Sequence, residues 1–262
     1  MLQAIRAICL ALSLTVNGAP APLRAQQTGT GHEVRQIVTF LFQPGRADSA
    51  VAVYERHILP AYRENVAMLR FRALREVESP EPLDLIVVSS FDGMAGMDAS
   101  NDALRRQSAS GRTLFQWYGV LSALAQWHHD QFVEMLPQLS DIATAAADSS
   151  GGLVVMEYVR VVPGAHQQYE RAVSTTVRPL EQKRALARWS ETGRMLVSDG
   201  WDYIRIIGLD SLSAWQAYQS ALGVMGAERE GQGWLPRERP SLFDRGGRCP
   251  FVRVACTHCW CW

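Results

Sequence analysis

The hydrophobic pattern of the chain alternates between strand-like and helix-like stretches. Residues 34–43 are rich in β-branched and aromatic side chains and are apolar on both alternating faces. This pattern predicts a strand that is covered on both sides. Pro44 and Gly45 end the run. Residues 47–64 then place apolar side chains at helical spacing, and Pro60 is predicted to kink or shorten that helix.

The first half continues with further strands and helices. Residues 68–77 alternate apolar and polar positions and predict a half-exposed strand, whereas residues 83–91 predict a buried one. A helix is predicted after Asp92, and an extra helical stretch covers residues 112–127. A closing strand at residues 131–136 completes a β-α-β-β-α-β order, which is that of the ferredoxin-like motif.

The same order recurs about 119 positions later, which indicates an internal repeat. Four landmarks match: Pro44 and Gly45 with Pro163 and Gly164, Pro60 with Pro179, residues 83–86 with residues 201–204, and Phe91 and Asp92 with Leu209 and Asp210. The second half predicts strands at residues 153–162, 189–198 and 201–209, and helices at residues 165–185 and 211–222. Its closing strand is not obvious, and residues 250–256 are a candidate for it.

Together these stretches divide the chain into five segments. They are a signal peptide (1–25), a first ferredoxin-like repeat (33–138), a linker of small and polar residues (139–152), a second repeat (153–225), and an irregular cysteine-containing tail (226–262). The predicted fold class is therefore α+β.

The strand–Pro-Gly–helix steps at residues 38–62 and 154–180, and the strand–Asp–helix steps at Asp92 and Asp210, resemble the dimeric α/β-barrel superfamily. That superfamily includes NIPSNAP-type proteins and antibiotic-biosynthesis monooxygenases, and the resemblance covers about residues 33–225. It implies that two tandem βαββαβ repeats pack sheet-to-sheet as a pseudo-dimeric α/β barrel within one chain. The chain is then a monomeric pseudo-dimer or a homodimer.

The first 25 residues and the overall charge limit where the protein acts. Residues 8–16 form a short apolar run after one basic residue, and small residues and prolines follow, which is typical of a signal peptide. We therefore expect export to a periplasm or to the outside of the cell. No later stretch approaches the roughly 20 apolar residues of a membrane helix, so none is expected in the mature chain. The 26 basic and 26 acidic residues balance, which argues against nucleic-acid binding.

Four cysteines crowd into the tail, at Cys249, Cys256, Cys259 and Cys261, with His258 among them. Three interpretations stay open: disulfides or loose thiols, an irregular or artefactual tail, and a zinc or copper site. The second spaced pair of a structural zinc site is absent, so Cys256, His258, Cys259 and Cys261 are only weak metal candidates. No resident cofactor is predicted.

Five residues are candidates for ligand binding. Tyr54 and His57 lie on the first helix, on the side where ligands bind in the fold that the chain resembles. His129, next to His128, precedes the closing strand, and adjacent residues there point in different directions. Boundary or surface roles are the alternatives for both histidines. Glu157 and Arg205 stand in neighbouring strands and are expected to pair, either as a structural ion pair or inside a ligand cavity.

The pattern favours an exported protein that binds a small apolar or aromatic molecule between sheet and helices. A cofactor-independent, monooxygenase-like enzyme is the first alternative, and a structural or interaction protein without a ligand is the second. Six aromatic side chains are candidates for lining the pocket, although core packing also explains most of them: Tyr54, Trp117, Tyr158, Trp189, Trp201 and Tyr203. The sequence does not decide whether the chain is an enzyme.

Overall fold

The computed structural model describes residues 32–76, 83–141, 153–161, 163–198, 200–231 and 253–255. The strands of this part are β1 (Glu33–Phe42), β2 (Met68–Glu76), β3 (Leu85–Asp92), β4 (Ser108–Ala109), β5 (Arg112–Thr113), β6 (Ala125–Met135), β7 (Leu153–Val159), β8 (Trp189–Val197), β9 (Tyr203–Leu209) and β10 (Arg253–Ala255). Its helices are α1 (Ala47–Val53), α2 (Leu59–Glu64), α3 (Gly93–Arg106), α4 (Leu114–Leu124), α5 (His166–Ala172), α6 (Arg178–Arg184) and α7 (Leu212–Gly231).

Eight of the strands close into a barrel. Their order is β1-β3-β2-β10-β7-β9-β8-β6, and every neighbouring pair is antiparallel. The short strands β4 and β5 form a separate hairpin. The fold is therefore α+β with a curled antiparallel sheet, which agrees with the predicted class.

Two joints close the barrel between the first and the second half of the chain. At one joint β6 pairs with β8, where Phe132 lies opposite Val197 and Met135 opposite Gly193. At the other joint β10 lies between β2 and β7, and its Val254 is opposite Glu76 and Val154. Part of the candidate segment 250–256 thus forms the late strand.

Hydrophobic side chains fill the barrel and also cover its outside, because successive strand residues point to opposite faces. The interior cluster consists of Ile37, Leu74, Leu83, Ile86, Val88, Val133, Met135, Val154, Met156, Tyr158, Trp189, Trp201, Ile204 and Ile206. Other clusters lie between the strands and the helices of each half. The first strands are apolar on both faces for this reason.

The first helix is not broken at Pro60. Residues Tyr54–Ile58 form a π-helical turn that joins α1 to α2, and Pro60 stands at the start of α2. A proline ring clashes with the carbonyl four residues earlier in a regular α-helix, and the wider π turn relieves this conflict. A second π turn, Val173–Val177, joins α5 to α6 just before Pro179.

The extra helical stretch of the first half is shorter than predicted. The β4–β5 hairpin, which the sequence pattern did not show, takes its first residues, and α4 begins only at Leu114. Thr113 caps this helix, because its hydroxyl accepts from the Gln116 backbone N–H while the Gln116 side chain accepts from the Thr113 N–H.

Several predicted segments lie outside the described residues. They are the signal peptide, most of the linker, and the tail residues Cys249, Cys256, His258, Cys259 and Cys261. Within the described part of the chain, no helix combines the length and the hydropathy that a bilayer crossing requires.

Candidate functional site

A cavity of about 270 Å³ lies between the sheet of the first half and its helices. Strands β1, β3 and β6 form its floor, and helices α3 and α4 together with the π turn and α2 form its walls. The lining residues are Gln36, Val38, Phe40, Tyr54, Tyr62, Met68, Val87, Ser89, Phe91, Ser100, Asn101, Leu104, Phe115, Tyr118, Leu121, Ser122, His128 and Asp130. The wall is thus mainly apolar and aromatic, with polar groups at a few points.

One polar group of the cavity is centred on Asp130. Its Oδ1 accepts a hydrogen bond of 2.7 Å from Nε2 of Gln36. His128 Nε2 lies 3.7 Å from Asp130 Oδ2, and the His128 ring stacks against Phe40. The side chains of His128 and Asp130 are 49% and 37% exposed, so this end of the cavity is open to solvent.

Three tyrosines form the buried part of the wall. Tyr54 is only 3% exposed, and its hydroxyl has no hydrogen-bond partner among the described residues. The hydroxyls of Tyr62 and Tyr118 are hydrogen-bonded to each other. One proton serves that bond, so one O–H of the pair remains able to donate. The cavity therefore presents at least two phenolic groups with unused hydrogen-bonding capacity.

Burial keeps these phenols protonated. It raises the pKa of Tyr54 and of Tyr118 well above the ordinary value of 10. It also raises the pKa of Tyr62, to about 12, although the hydrogen bond from Tyr118 acts in the opposite direction. All three side chains are consequently neutral hydrogen-bonding groups at physiological pH.

The π turn places Tyr54 in the wall. It begins at Tyr54 and widens the helix ahead of Pro60. Tyr62 follows eight positions later on the same side, and both rings contact Phe71. π turns often occur at functional sites, and this one supplies the most buried phenol of the cavity.

An ion network lies between the sheet of the second half and its helices. Arg205 donates to Glu181 Oε1 at 2.5 Å and to the Tyr218 hydroxyl at 2.9 Å, and it lies 3.4 Å from Glu157 Oε2. Tyr218 and Ser190 also donate to Glu181. Burial alone would lower the pKa of Arg205, but the neighbouring carboxylate of Glu181 raises it.

The expected pairing of Glu157 with Arg205 is present. The two residues lie directly opposite each other in β7 and β9. Glu181 is the closer carboxylate, and its position on α6 gave no signal in the strand pattern. Two carboxylates and a tyrosine hydroxyl accept hydrogen bonds from the buried guanidinium of Arg205, and such compensation of a buried charge is what a structural ion cluster requires.

A second ion cluster lies inside the barrel. Glu191 is fully buried and accepts from Arg35 through both oxygens, at 2.7 and 2.6 Å. Arg70 donates to Glu191 at 3.0 Å, and Glu33 accepts from both Arg35 and Arg70. Arg72 lies 3.8 Å from Glu191. This cluster joins β8 of the second half to β1 and β2 of the first.

The prediction of a half-exposed strand at residues 68–77 was wrong for this reason. Arg70 and Arg72 point into the barrel instead of into solvent, and Arg72 is buried with its guanidinium 4.3 Å from the Trp189 ring. Alternation of polar and apolar residues is typical of a solvated face, but here the polar face meets a buried carboxylate of a distant strand.

Neither of the two histidine candidates, His57 and His129, lines the cavity. His57 lies outside the cavity lining and stacks on Trp117, with ring centroids 3.6 Å apart. His129 is also outside the lining, whereas its neighbour His128 is part of it. Adjacent residues of β6 point to opposite faces, so only one of the two histidines can face the helices. Tyr54 does line the cavity.

The environment of His57 is that of a surface histidine. Its Nδ1 lies 3.4 Å from the Ser110 hydroxyl, at the tip of the β4–β5 hairpin. Partial burial lowers its pKa, and the charges of Arg56 and Arg112 act in the same direction. The ring stack packs the π turn against α4, which is a structural role.

Most of the other aromatic candidates are core residues. Tyr158, Trp189 and Trp201 belong to the barrel interior, and Tyr203 packs with the helices of the second half. The lining residues that were not candidates include Gln36, Tyr62, Tyr118 and Asp130, and of the pair His128–His129 it is His128 that lines the cavity. Period-two spacing in residues 128–130 was a usable signal, since it places His128 and Asp130 on one face.

Among the described residues, no group of three or more His, Cys, Asp or Glu side chains is arranged to hold a metal ion. The weak metal candidates of the tail lie outside these residues.

No protein-family model matches the chain, and no curated protein matches it. Solved structures do. A candidate monooxygenase from Fusobacterium nucleatum subsp. nucleatum superposes with a TM-score of 0.59, at 7% identity, over 89% of this chain and 98% of its own. A candidate monooxygenase from Lactobacillus acidophilus superposes with a TM-score of 0.56, at 9% identity, over 88% of this chain and 99% of its own. The chain shares with these structures an α+β fold with a curled antiparallel sheet, which is consistent with a dimeric α/β barrel. At these identities the likeness concerns the fold alone.

Proposed function

We propose that the protein binds a small, mainly apolar molecule in the cavity of the first half. The observation that carries this proposal is the cavity itself, whose mainly apolar and aromatic wall includes Tyr54, a residue with a buried hydroxyl that has no partner among the described residues. An unsatisfied buried hydroxyl destabilises a protein by about 1–3 kcal/mol, and a ligand that hydrogen-bonds to it recovers this free energy. The volume of about 270 Å³ lies just below the usual range of ligand pockets, which suits a small ligand.

We also propose that the chain is a tandem pair of ferredoxin-like units that form one pseudo-dimeric barrel. The strand order β6-β1-β3-β2 of the first half corresponds to β10-β7-β9-β8 of the second, as the same βαββαβ topology requires. The two π turns, which begin at Tyr54 and Val173, support the correspondence because they are also about 119 positions apart. A relationship to NIPSNAP-type proteins stays a prediction.

This correspondence explains why the two halves differ. Val38 lies opposite Val87 in β1 and β3, at the place where Glu157 lies opposite Arg205 in β7 and β9. Tyr62 of the first half corresponds to Glu181 of the second. The first half has therefore exchanged an ion network for short apolar side chains and a phenol. The space that the network fills in the second half is the cavity of the first.

A cavity-filling substitution tests the proposal. Ser89 lines the cavity and is buried, so Ser89→Leu should occupy part of the space. We expect the affinity for 2-phenylethanol, measured by ligand-observed NMR titration, to fall by about tenfold or more. A tenfold loss of affinity corresponds to a loss of about 1.4 kcal/mol of binding free energy. Ser49→Leu makes the same change on the exposed face of α1 and should leave the affinity unchanged.

Two results would contradict this proposal. One is a wild-type chain that binds no small apolar probe and carries no retained molecule in native mass spectrometry. The other is that Ser89→Leu and Ser49→Leu both bind the probe as tightly as the wild-type chain does, while both variants keep the wild-type unfolding midpoint. Either result favours a structural or interaction role.

A cofactor-independent, monooxygenase-like activity is the second candidate. Two structures with the same fold are named as candidate monooxygenases, and His128 with Asp130 provides an acid–base pair at the mouth of this cavity. Oxygen uptake in the presence of small phenols, lost in His128→Ala and retained in His57→Ala, would support it. Binding of phenols without oxygen uptake would exclude activity on them.

We further propose that the chain is exported. The support is the apolar run at residues 8–16 with the small residues and prolines that follow it. Mass spectrometry of the protein recovered from the producing cells would test this, because removal of about 25 residues is expected.

A further inference from the structure

Aromatic rings and a single carboxylate dominate the cavity wall. Six aromatic side chains, other than histidine, line it: Phe40, Tyr54, Tyr62, Phe91, Phe115 and Tyr118. Asp130 is the one acidic residue of this lining, and none of the described residues that line the cavity is a lysine or an arginine. The titratable side chain nearest to this carboxylate in the lining is His128, whose Nε2 lies 3.7 Å from Asp130 Oδ2.

Such a wall discriminates between ligand charges. The faces of aromatic rings carry negative electrostatic potential and attract an ammonium group within about 6 Å of the ring centroid. A carboxylate adds a direct Coulombic attraction, which is strengthened by partial burial. An anionic ligand would meet Asp130 without a neighbouring lysine or arginine in the lining to compensate it.

The cross-strand register shows where a cation would lie. Val38 of β1 is opposite Val87 of β3 on one side and opposite Asp130 of β6 on the other. The three side chains therefore form one row that faces the helices, and all three line the cavity. The carboxylate stands at the open end of this row.

The second half already contains a cation at the corresponding position. Its row is Glu157 opposite Arg205, and the Arg205 guanidinium is held by a carboxylate and the Tyr218 hydroxyl. In the first half Val87 stands at the position of this arginine, and Val38 and Tyr62 stand at those of Glu157 and Glu181. The carboxylate of the cavity comes instead from Asp130 on β6.

We propose that the cavity of the first half takes an organic cation, in which an ammonium group lies beside Asp130 and a small apolar body lies among the aromatic rings. This inference rests on the proposed function, because it assigns a ligand class to the same cavity. It predicts discrimination by charge in addition to shape.

Two probes of nearly equal shape test the inference on the full chain. 2-Phenylethylamine is a cation at neutral pH, and 2-phenylethanol is its neutral counterpart. We expect isothermal titration calorimetry to show that the amine binds about tenfold more tightly than the alcohol, a difference of about 1.4 kcal/mol. Asp130→Asn should remove most of this preference, because it weakens binding of the amine by about tenfold and binding of the alcohol by much less.

Control variants separate charge from structure. Asp130→Glu keeps the carboxylate and should keep the preference for the amine. Asp48→Asn removes an exposed carboxylate of α1 and should have no effect. The comparison of the two probes on the wild-type chain decides the question even when Asp130→Asn does not fold.

The possible outcomes distinguish this inference from the proposed function. Equal affinity for both probes would overturn the organic-cation site and leave the small-molecule cavity in place. An equal loss of both affinities in a folded Asp130→Asn would also overturn it, since Asp130 would then act through the shape of the wall. Binding of neither probe would overturn both proposals.

Discussion

Glu191 is the residue whose replacement tests the barrel architecture most directly. It lies on β8, is fully buried, and faces arginines of β1 and β2 from the other half of the chain. Glu191→Gln keeps the shape of the side chain and removes its charge. Arg35 and Arg70 then retain only Glu33 as a carboxylate partner within this cluster.

The magnitude follows from the geometry. Arg35 loses a two-pronged charged hydrogen bond, and Arg70 loses a contact of 3.0 Å. Removing one partner of a buried ion pair costs about 3–5 kcal/mol, because the other charge stays buried without compensation. The stability of a whole domain is only about 5–15 kcal/mol, so this single change should remove a large fraction of it.

Urea unfolding followed by circular dichroism measures this loss. For a slope of about 2–3 kcal/mol per molar urea, the midpoint should fall by about 1–2 M. Glu134→Gln is the matched control, since Glu134 is partly exposed and contacts only the exposed His32 as an ion partner among the described residues. The free energy of unfolding of Glu134→Gln should differ from that of the wild-type chain by less than about 0.5 kcal/mol. Equal midpoints for the two variants would refute the assigned role of the buried cluster.

The same cluster predicts a pH dependence. Burial alone would raise the pKa of Glu191, but Arg35, with Arg70 and Arg72, lowers it far below the ordinary value of 4.5. A carboxylate whose pKa is lower in the folded than in the unfolded chain stabilises the fold at pH values above its unfolded-state pKa. This stabilisation is lost as the pH falls from the unfolded-state pKa toward the folded-state pKa. Between about pH 5 and pH 3 the wild-type chain should therefore lose more free energy of unfolding than Glu191→Gln. Parallel losses in the two proteins would contradict the assignment.

Three further substitutions have clear expected effects. Tyr54→Phe removes an unpartnered buried hydroxyl, so thermal unfolding should show equal or higher stability, by up to about 1 kcal/mol, while affinity for hydrogen-bonding ligands falls. Gly208→Ala should destabilise the chain by about 1–3 kcal/mol in urea, because a Cβ at Gly208 would overlap the Trp189 ring. Ala185→Gly should stabilise it by about 0.5–1 kcal/mol, because Ala185 ends α6 with a φ of 47°, a conformation that glycine adopts without strain.

Much of the fold could be predicted from sequence because its signals are local. The alternation of strand and helix patterns and the Pro-Gly breaks lie within short stretches, and each landmark of the apparent repeat is itself a short motif. The π turns were not predicted, since a proline at residue 60 indicates a distortion without saying which kind. The late strand β10 was only a candidate, because three residues carry little periodicity.

The candidate site was less predictable because it depends on contacts between distant residues. Arg35 and Glu191 are separated by 156 positions, and nothing in either neighbourhood indicates that they meet. Glu157 and Arg205 were found because both interrupt apolar strands that the topology makes neighbours. The cavity is lined by side chains from several strands and helices of the first half, and no single stretch of sequence indicates it.

The position of β10 has a consequence for the order in which the barrel forms during synthesis. Its partner β2 is complete about 180 residues before β10 leaves the ribosome. Until then the edges of β2 and β7 have no strand between them, and unpaired edges recruit other chains into aggregates. After β9 is complete, the sheet stays open between β2 and β7 until residues 253–255 insert, and we expect the nascent chain to depend on chaperones over that interval.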